Sequence, residues 1–357
     1  MGKRKAFAKR IMALLLALTL LPFLPPIQAE AAYEDYDAEQ NGIRYSVREG
    51  EIWIERILSK EEKIRIPEQI GGMKVTRLNQ VMLEKEVKTL YIPKTVKDIS
   101  VPTTCYIRGS LNKIVVDKAN PKYMSKGGIV YSKDRKTLIW CPMDLTKVKI
   151  PKTVTRIGTR AFHASHLKKI TIPDTVTSIG TGAFSTAFRL QEVRLSKRVK
   201  NIPENAFSDC KKLKKITIPA GVVKIGTGAF NGCYRLKEVS FEQGSRLRYV
   251  NRRAFLNCAL NHIELPNTVE RIGRDTFLAI DELKSITIPP KVAKINESVF
   301  FTTGGIREVI ISGEGTKINK NPYGISDHQR GDVTVVAKMN SHAYNWAKEN
   351  GYKVRAL

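Results

Sequence analysis

From Pro151 to Ile311 the chain repeats itself about every 23 residues, and this period narrows the possible folds more than any other property of the sequence. The unit is clearest in PDTVTSIGTGAFSTAFRLQEVRL, residues 173–195, and PAGVVKIGTGAFNGCYRLKEVSF, residues 219–241. A segment this short cannot bury its own apolar face, so each copy has to lie against the next. The expected fold is a repeat solenoid, elongated and right-handed, with a continuous interior. Such a fold presents long surfaces more readily than an enclosed catalytic pocket, which directs the functional reading toward binding.

Within one unit, Leu213, Ile216 and Ile218 follow L-x-x-I-x-I, whose final alternation is that of a strand buried on one face. Equivalent pairs are Ile170/Ile172, Val193/Leu195, Val239/Phe241, Ile263/Leu265, Ile286/Ile288 and Val309/Ile311. Stacked in order, they predict a parallel β-sheet along one face. Pro93, Pro151, Pro173, Pro219, Pro266 and Pro289 directly follow such pairs, where a missing N–H ends ladder pairing. A second apolar pair, as in Val199/Ile202, Val222/Ile225 and Val269/Ile272, predicts a short strand or extended turn on the other side. Gly158, Gly180, Gly226 and Gly273 come next, but Pro203 replaces them once. That turn therefore favours Gly without demanding a left-handed residue. The Ala-Phe pair that follows predicts a short helical turn. Its aromatics, Phe162, Phe184, Phe207, Phe230, Phe255, Phe277 and Phe300, are seven of the chain's 12 Phe and predict a stacked spine in the core.

Residues 1–31 have the pattern of a secretory signal peptide: Lys3, Arg4, Lys5, Lys9 and Arg10, an apolar run from Ile11 to Leu24, then Ala29-Glu30-Ala31. The run is too short for a membrane span, and no later stretch reaches the roughly 18–20 apolar residues a membrane helix needs. The expected product is an exported bacterial protein. The formal net charge is +27, and setting aside residues 1–31 removes five basic and one acidic side chain, leaving +23. An excess of this size favours anionic partners through long-range, salt-sensitive attraction. The five cysteines, at 105, 141, 210, 233 and 258, are an odd number for an exported chain. Cys210, Cys233 and Cys258 share a column with Ala187 and Ile280, which points to buried thiols acting as small apolar groups. A disulfide between stacked neighbours is the alternative.

These residues closely resemble the BspA-like leucine-rich repeats, with the pattern P-x-x-V-T-x-I-G-x-x-A-F-x-x-C-x-x-L-x-x-I-x-I. Pro219, Val222, Ile225, Gly226, Ala229, Phe230, Cys233, Leu236 and Val239 all fall in register. The resemblance runs from about residue 40 to the end. Asn41 to Val75 looks like the family's N-terminal β cap, and Asn120 to Pro142 like its hairpin-bearing variant repeat. Ser341 to Val354 is similar to its C-terminal cap of a helix and a strand. In the first repeat Val81-Met82 stands where Ala-Phe would be. The implied organisation is a signal peptide over 1–31, an N-terminal cap and degenerate repeat over 32–92, a solenoid over 93–338 with its variant repeat at 117–150, and a terminal cap over 339–357. The resemblance also implies a secreted or surface-associated protein that binds host or matrix proteins, with no enzyme chemistry and no cofactor.

Sorting the exposed columns gives a candidate surface. The residue before the first core Ile runs Lys169, Glu192, Lys215, Glu238, His262, Ser285, Glu308, whose opening signs suit a cross-strand charge ladder. One residue earlier stand Lys168, Gln191, Lys214, Lys237, Asn261, Lys284 and Arg307, five basic and none acidic. A second basic column, Arg156, Lys224, Arg271 and Lys294, is interrupted by Ser178 and Asn201. Two stripes of this kind suit an extended anionic partner: teichoic acid, a sulfated glycan, or nucleic acid as a non-specific polyanion. The plainer alternative is a solvated surface that only keeps the chain soluble. The strand-face column Thr171, Arg194, Thr217, Ser240, Glu264, Thr287, Ile310 is small and mixed, and exposed aromatics are expected near the ends, at Tyr33, Tyr36 and Trp346.

Enzyme motifs are weak. His163-Ala-Ser-His166 is read as a solvated loop, and Gly180-Thr-Gly182 and Gly226-Thr-Gly228 lack the following Lys-Ser/Thr of a phosphate loop. No G-x-S-x-G or H-E-x-x-H occurs. The expected protein is a monomeric binding or adhesion module, and the competing class is a structural protein that assembles side by side on the cell surface.

Overall fold

A computed structural model describes residues 37–84, 86–102, 110–296, 298–300, 305–319 and 332–357. The expected signal peptide, Tyr33, Tyr36 and Cys105 lie outside the described residues. From residue 151 the coils of the chain build three kinds of parallel ladder. The first joins the I-x-I strands, for example Lys215–Ile218 with Glu238–Phe241, in the register Ile216↔Val239 and Ile218↔Phe241. The second joins the V-x-x-I segments as two-residue bridges, such as Asn201–Ile202 to Lys224–Ile225 to Tyr249–Val250 to Arg271–Ile272. The third runs along the phenylalanine column, where the Phe184, Phe207 and Phe230 N–H groups donate to the carbonyls of Ala206, Ala229 and Ala254 at 2.8–2.9 Å. Backbone polar groups in every coil are thus satisfied by the next coil, which a fully buried column requires.

The seven phenyl rings stack in one file, with centroid separations of 4.9 Å at the Phe162/Phe184 end and 5.8 Å at Phe277/Phe300. All seven are fully buried. They share one core with Ile216, Ile218, Val222, Ile225 and their equivalents. The predicted helical turn around each Phe is a run of i→i+3 turns instead. In one coil Ala183 and Ser185 donate back to Gly180 and Gly182, while the intervening Phe184 and Thr186 donate forward to the next coil. Alternating donors of this kind are incompatible with a helix, whose N–H groups all point one way. The geometry needs left-handed residues two before and two after each Phe. Arg160 and Ala164, Asn205 and Asp209, and Asp275 and Ala279 all have φ between 50° and 56°. Gly182 and Gly228 take the first of these positions at +60° and +58°, which accounts for the second Gly of each G-T-G.

The first Gly has a different reason. Gly226 has no positive φ, but a Cβ there would lie 2.6 Å from the backbone nitrogen of Glu204 in the coil below. Close approach of backbones selects Gly at this turn.

Residues 37–102 are built otherwise. Ala38–Gln40, Ile43–Arg48 and Glu51–Ile57 form an antiparallel meander, and Glu51–Ile57 then pairs in parallel with the eleven-residue strand Met73–Leu83. Its two-residue hairpin loops, Asn41-Gly42 and Glu49-Gly50, hold both residues at positive φ, as the twist of a tight hairpin requires. This region has its own core of Ile52, Ile54, Leu78, Leu90 and neighbours. The hairpin Tyr123–Lys126 and Ile129–Ser132 joins the two cores. Val130 belongs to the first, Ile129 and Tyr131 to the second, because alternate side chains leave opposite faces of a strand. Burial pushes the Tyr131 phenol up to about 12.

Beyond Glu308–Ile311, the strands Thr334–Ala337 and Lys353–Ala356 continue the first ladder in parallel. Helix His342–Glu349 lies between them, and Ser341 Oγ accepts the Tyr344 N–H at 3.2 Å as its N-cap. The helix sets Ala343 and Ala347 into the core.

Candidate binding surface

All nine cations of the two predicted stripes are exposed. In the first column the backbone brings pairs together: the Lys214 carbonyl accepts the Lys237 N–H at 2.9 Å, and Lys284 accepts from Arg307 at 2.8 Å. Lys168 is bonded instead to the coil of Gln191. The column is not one unbroken sheet. Strands Lys169–Thr171 and Glu192–Arg194 form one pair, Lys215–Ile218 and Glu238–Phe241 another, and Ser285–Ile288 starts a third group. Residues 259–265 form no strand, although Ile263 and Leu265 still point inward.

In the second column only Arg271 and Lys294 of the four cations stand on successive coils, with the Asn296 side chain donating to the Ile272 carbonyl between those coils at 3.1 Å. Ser178 follows Arg156, Asn201 precedes Lys224, and Tyr249 separates Lys224 from Arg271. Lys294 lies opposite Lys317, a cation the column reading stopped short of. Both ladders bury their apolar residues in one core, so their exposed cations face outward from separate walls.

Charge pairing separates structural cations from available ones. Lys169 and Glu192, register partners across the first ladder, form an ion pair at 2.5 Å. The Lys169 ammonium holds the Glu192 carboxyl below its ordinary value. Arg194 reaches Asp174 at 3.1 Å, and Arg248 grips Glu270 with two bonds of 2.7 and 2.8 Å. By contrast, among the described residues Lys168, Lys214, Lys237, Lys284, Arg156, Lys224, Arg271 and Lys294 make no ion pair with a carboxylate.

Two expectations about side chains need correction. His163 is buried, its Nδ1 lying 2.7 Å from Ser185 Oγ, while His166 Nδ1 lies 2.6 Å from an Asp144 oxygen. Neither belongs to a solvated loop, because the next coil covers His163 and the variant repeat lies against His166. Trp346 is half-buried and stacks on Tyr352 at 5.5 Å, whereas Tyr234, in mid-solenoid, is 54% exposed. The signal for Tyr234 was its place one residue past the cysteine column, where side chains leave the core.

The four described cysteines are free and buried. Cys210, Cys233 and Cys258 each place Sγ 3.1–3.2 Å from the carbonyl oxygen of the preceding coil's phenylalanine. They donate weak hydrogen bonds between coils as well as filling space. Burial pushes their thiols well above the ordinary range, which removes thiolate reactivity. Among the described residues no cluster of three or more His, Cys, Asp or Glu could hold a metal ion, and no helix is long and apolar enough to cross a membrane.

The BspA type leucine rich repeat region matches in six copies, over residues 137–245 and 200–327. A solved leucine-rich repeat protein from Eubacterium ventriosum is 18% identical over 66% of this chain and 92% of that one, with a TM-score of 0.45. A leucine rich cell surface protein from Faecalibacterium prausnitzii is 21% identical over 81% and 93%, with a TM-score of 0.38. A leucine-rich repeat protein from Bacteroides capillosus is 32% identical over 34% of this chain and 99% of that one, with a TM-score of 0.30. No curated protein matches. With the repeat model matched over more than half of its 357 residues and the phenyl file in register, the chain belongs to the BspA-type leucine-rich repeat family.

Proposed function

We propose that this protein is an exported or surface-associated binding module whose basic columns recognise anionic polymers or acidic faces of host or matrix proteins. The observation that carries the reading is the pairing pattern of the cations. Eight of the nine stripe residues are exposed without a carboxylate partner among the described residues, while neighbouring Lys169, Arg194 and Arg248 are paired. A cation already paired adds little to an encounter with a polyanion, but an unpaired one can exchange its counterion for the ligand. The repeat fold supports the same reading, because stacked coils carry one chemical feature along a surface at a regular interval.

Binding of the full chain to immobilised heparin and to teichoic acid, measured across a salt series, tests this. Affinity is expected to fall steeply as salt rises, with a linear dependence of log affinity on log salt. Affinity that does not change with salt, or no binding at low salt, refutes it.

A further inference from the structure

The central coils carry a feature that the two stripes do not include. Residues 184–238 contain 12 basic and four acidic side chains. On these coils the residue four past each phenylalanine holds the same place in the loop, and on two of them its N–H bonds back two residues, Phe188 to the Thr186 carbonyl at 2.7 Å and Lys211 to that of Asp209 at 2.8 Å. Phe188, Lys211 and Tyr234 therefore occupy one column on three successive coils. The Lys211 ammonium lies 5.6 Å from the Phe188 ring centre and 5.9 Å from that of Tyr234, between the two aromatics. The next residue of each coil is basic and exposed: Arg189, Lys212 and Arg235. None of these four cations forms an ion pair with a carboxylate among the described residues. Asp209, at the foot of the column, is pushed up by burial, with Lys211 drawing it back down.

Resting on the polyanion reading above, we infer that Phe188, Arg189, Lys211, Lys212, Tyr234 and Arg235 form the specific subsite of this surface, and that its ligand is an acidic polysaccharide. The periodicity selects the class. Coils are 5.2 Å apart at Phe184/Phe207 and 5.5 Å at Phe207/Phe230, so two coils span about one disaccharide of an extended glycan. Over these three coils the two rings, Phe188 and Tyr234, stand two coils apart, and every coil carries a cation. A glycan alternating an acidic sugar with a less charged one presents this pattern in return, an apolar sugar face to each ring and sulfate or carboxylate groups to the cations between. A bare polyphosphate offers no flat face, and Phe188 and Tyr234 would add nothing to its affinity. Tyr and Arg are also the residue types that concentrate binding energy at interfaces.

The test uses the full chain with heparin oligosaccharides, inorganic polyphosphate, single-stranded DNA and polyglutamate as probes, each at low and at high salt. Wild type is compared with Tyr234→Ala, Phe188→Ala and Arg235→Gln, and with Lys284→Gln outside the subsite. Tyr234 is exposed, so folding of its variant is verified by an unchanged melting curve. Tyr234→Ala is expected to weaken heparin binding about tenfold at high salt, where electrostatics are screened, and to leave polyphosphate binding within twofold. An equal loss for single-stranded DNA would overturn the glycan assignment in favour of base stacking, and a loss confined to polyglutamate would overturn it in favour of an acidic protein. Salt-sensitive heparin binding that Tyr234→Ala and Phe188→Ala leave unchanged sinks the subsite while the broader polyanion reading survives. Absence of binding to every probe sinks both.

Discussion

Residues 37–100 carry 12 basic and 11 acidic side chains, whereas residues 151–300 carry 26 and 12. The first region pairs its charges. Arg44, Arg48, Arg56, Arg77, Lys88, Lys94 and Lys97 each meet a carboxylate, and Arg65 and Arg77 also cover the rings of Tyr91 and Trp53 at 3.9 and 4.1 Å. In the coils, ion pairs among the described residues engage Lys169, Arg194, Arg248, Arg252 and Arg253, and most remaining cations face solvent. The cores differ in parallel. The N-terminal region packs aliphatic side chains behind long strands, while the coils stack identical rings behind two-residue bridges. The net charge is therefore not spread over the molecule. Of the +23 outside residues 1–31, +14 lies on residues 151–300 and only +1 on residues 37–100.

The contrast can be broken at several points. The largest effect is expected from Phe207→Ala, which removes one ring from a continuous file and should cost about 3–5 kcal/mol in denaturant unfolding. A loss below about 1 kcal/mol would mean that neighbouring rings close the gap and that the file is not what orders the coils. Val81→Ala, in the core of the degenerate first repeat, should cost less, because a smaller group is lost.

The thiols give a second, pH-dependent signature of the coils. Folded Cys210, Cys233 and Cys258 are pushed well above the ordinary thiol value of about 8.5, so the unfolded chain releases these protons first. Their contribution is fully present below about pH 8.5 and is lost as pH rises toward the folded values. Unfolding free energy should fall by about 1.4 kcal/mol per pH unit for each thiol in that window. Cys233→Ala should make the slope shallower, and an unchanged slope would locate the alkaline sensitivity elsewhere.

Charge reversal sharpens the comparison further. Lys214→Glu combined with Lys237→Glu should lower heparin affinity about tenfold at low salt, since neighbouring coils lose two unpaired cations. Lys88→Glu, which removes a cation already bound to Glu62, should leave that affinity nearly unchanged and shift the melting temperature only slightly. Equal losses from both regions would show that net charge alone drives binding. The smallest effect is expected from Ala279→Gly, at φ 54°, which should raise stability by about 0.5–1 kcal/mol by relieving a left-handed alanine. A destabilisation there would mean the turn is held by something other than its backbone geometry.

Much of this was legible in advance because a repeat aligns itself. Seven phenylalanines in one column can only be core, and the V-x-x-I pairs read as a short strand or an extended turn, which the bridges resolve as a second ladder. The nine stripe residues were recognised as exposed for the same reason. Less legible was whatever depends on contact between unlike parts. His163 reads as a surface residue until Ser185 of the next coil is placed beside it. The turns around each phenylalanine read as helical because Ala is the strongest helix former and Phe opposes a helix only weakly. Their left-handed residues include Arg160, Thr186 and Ala279, types that do not announce positive φ.

The amino-acid order alone determined that the chain stacks, which columns point inward, and that the coils carry surplus positive charge, since spacing and composition are properties of the string. Which cations remain unpaired, where the first ladder breaks, and that half-buried Phe188 shares one file with exposed Lys211 and Tyr234 were decided only when the coils came together. Those facts depend on distances between residues some 23 apart in sequence, and a distance across coils is set by backbone hydrogen bonding that no single repeat contains.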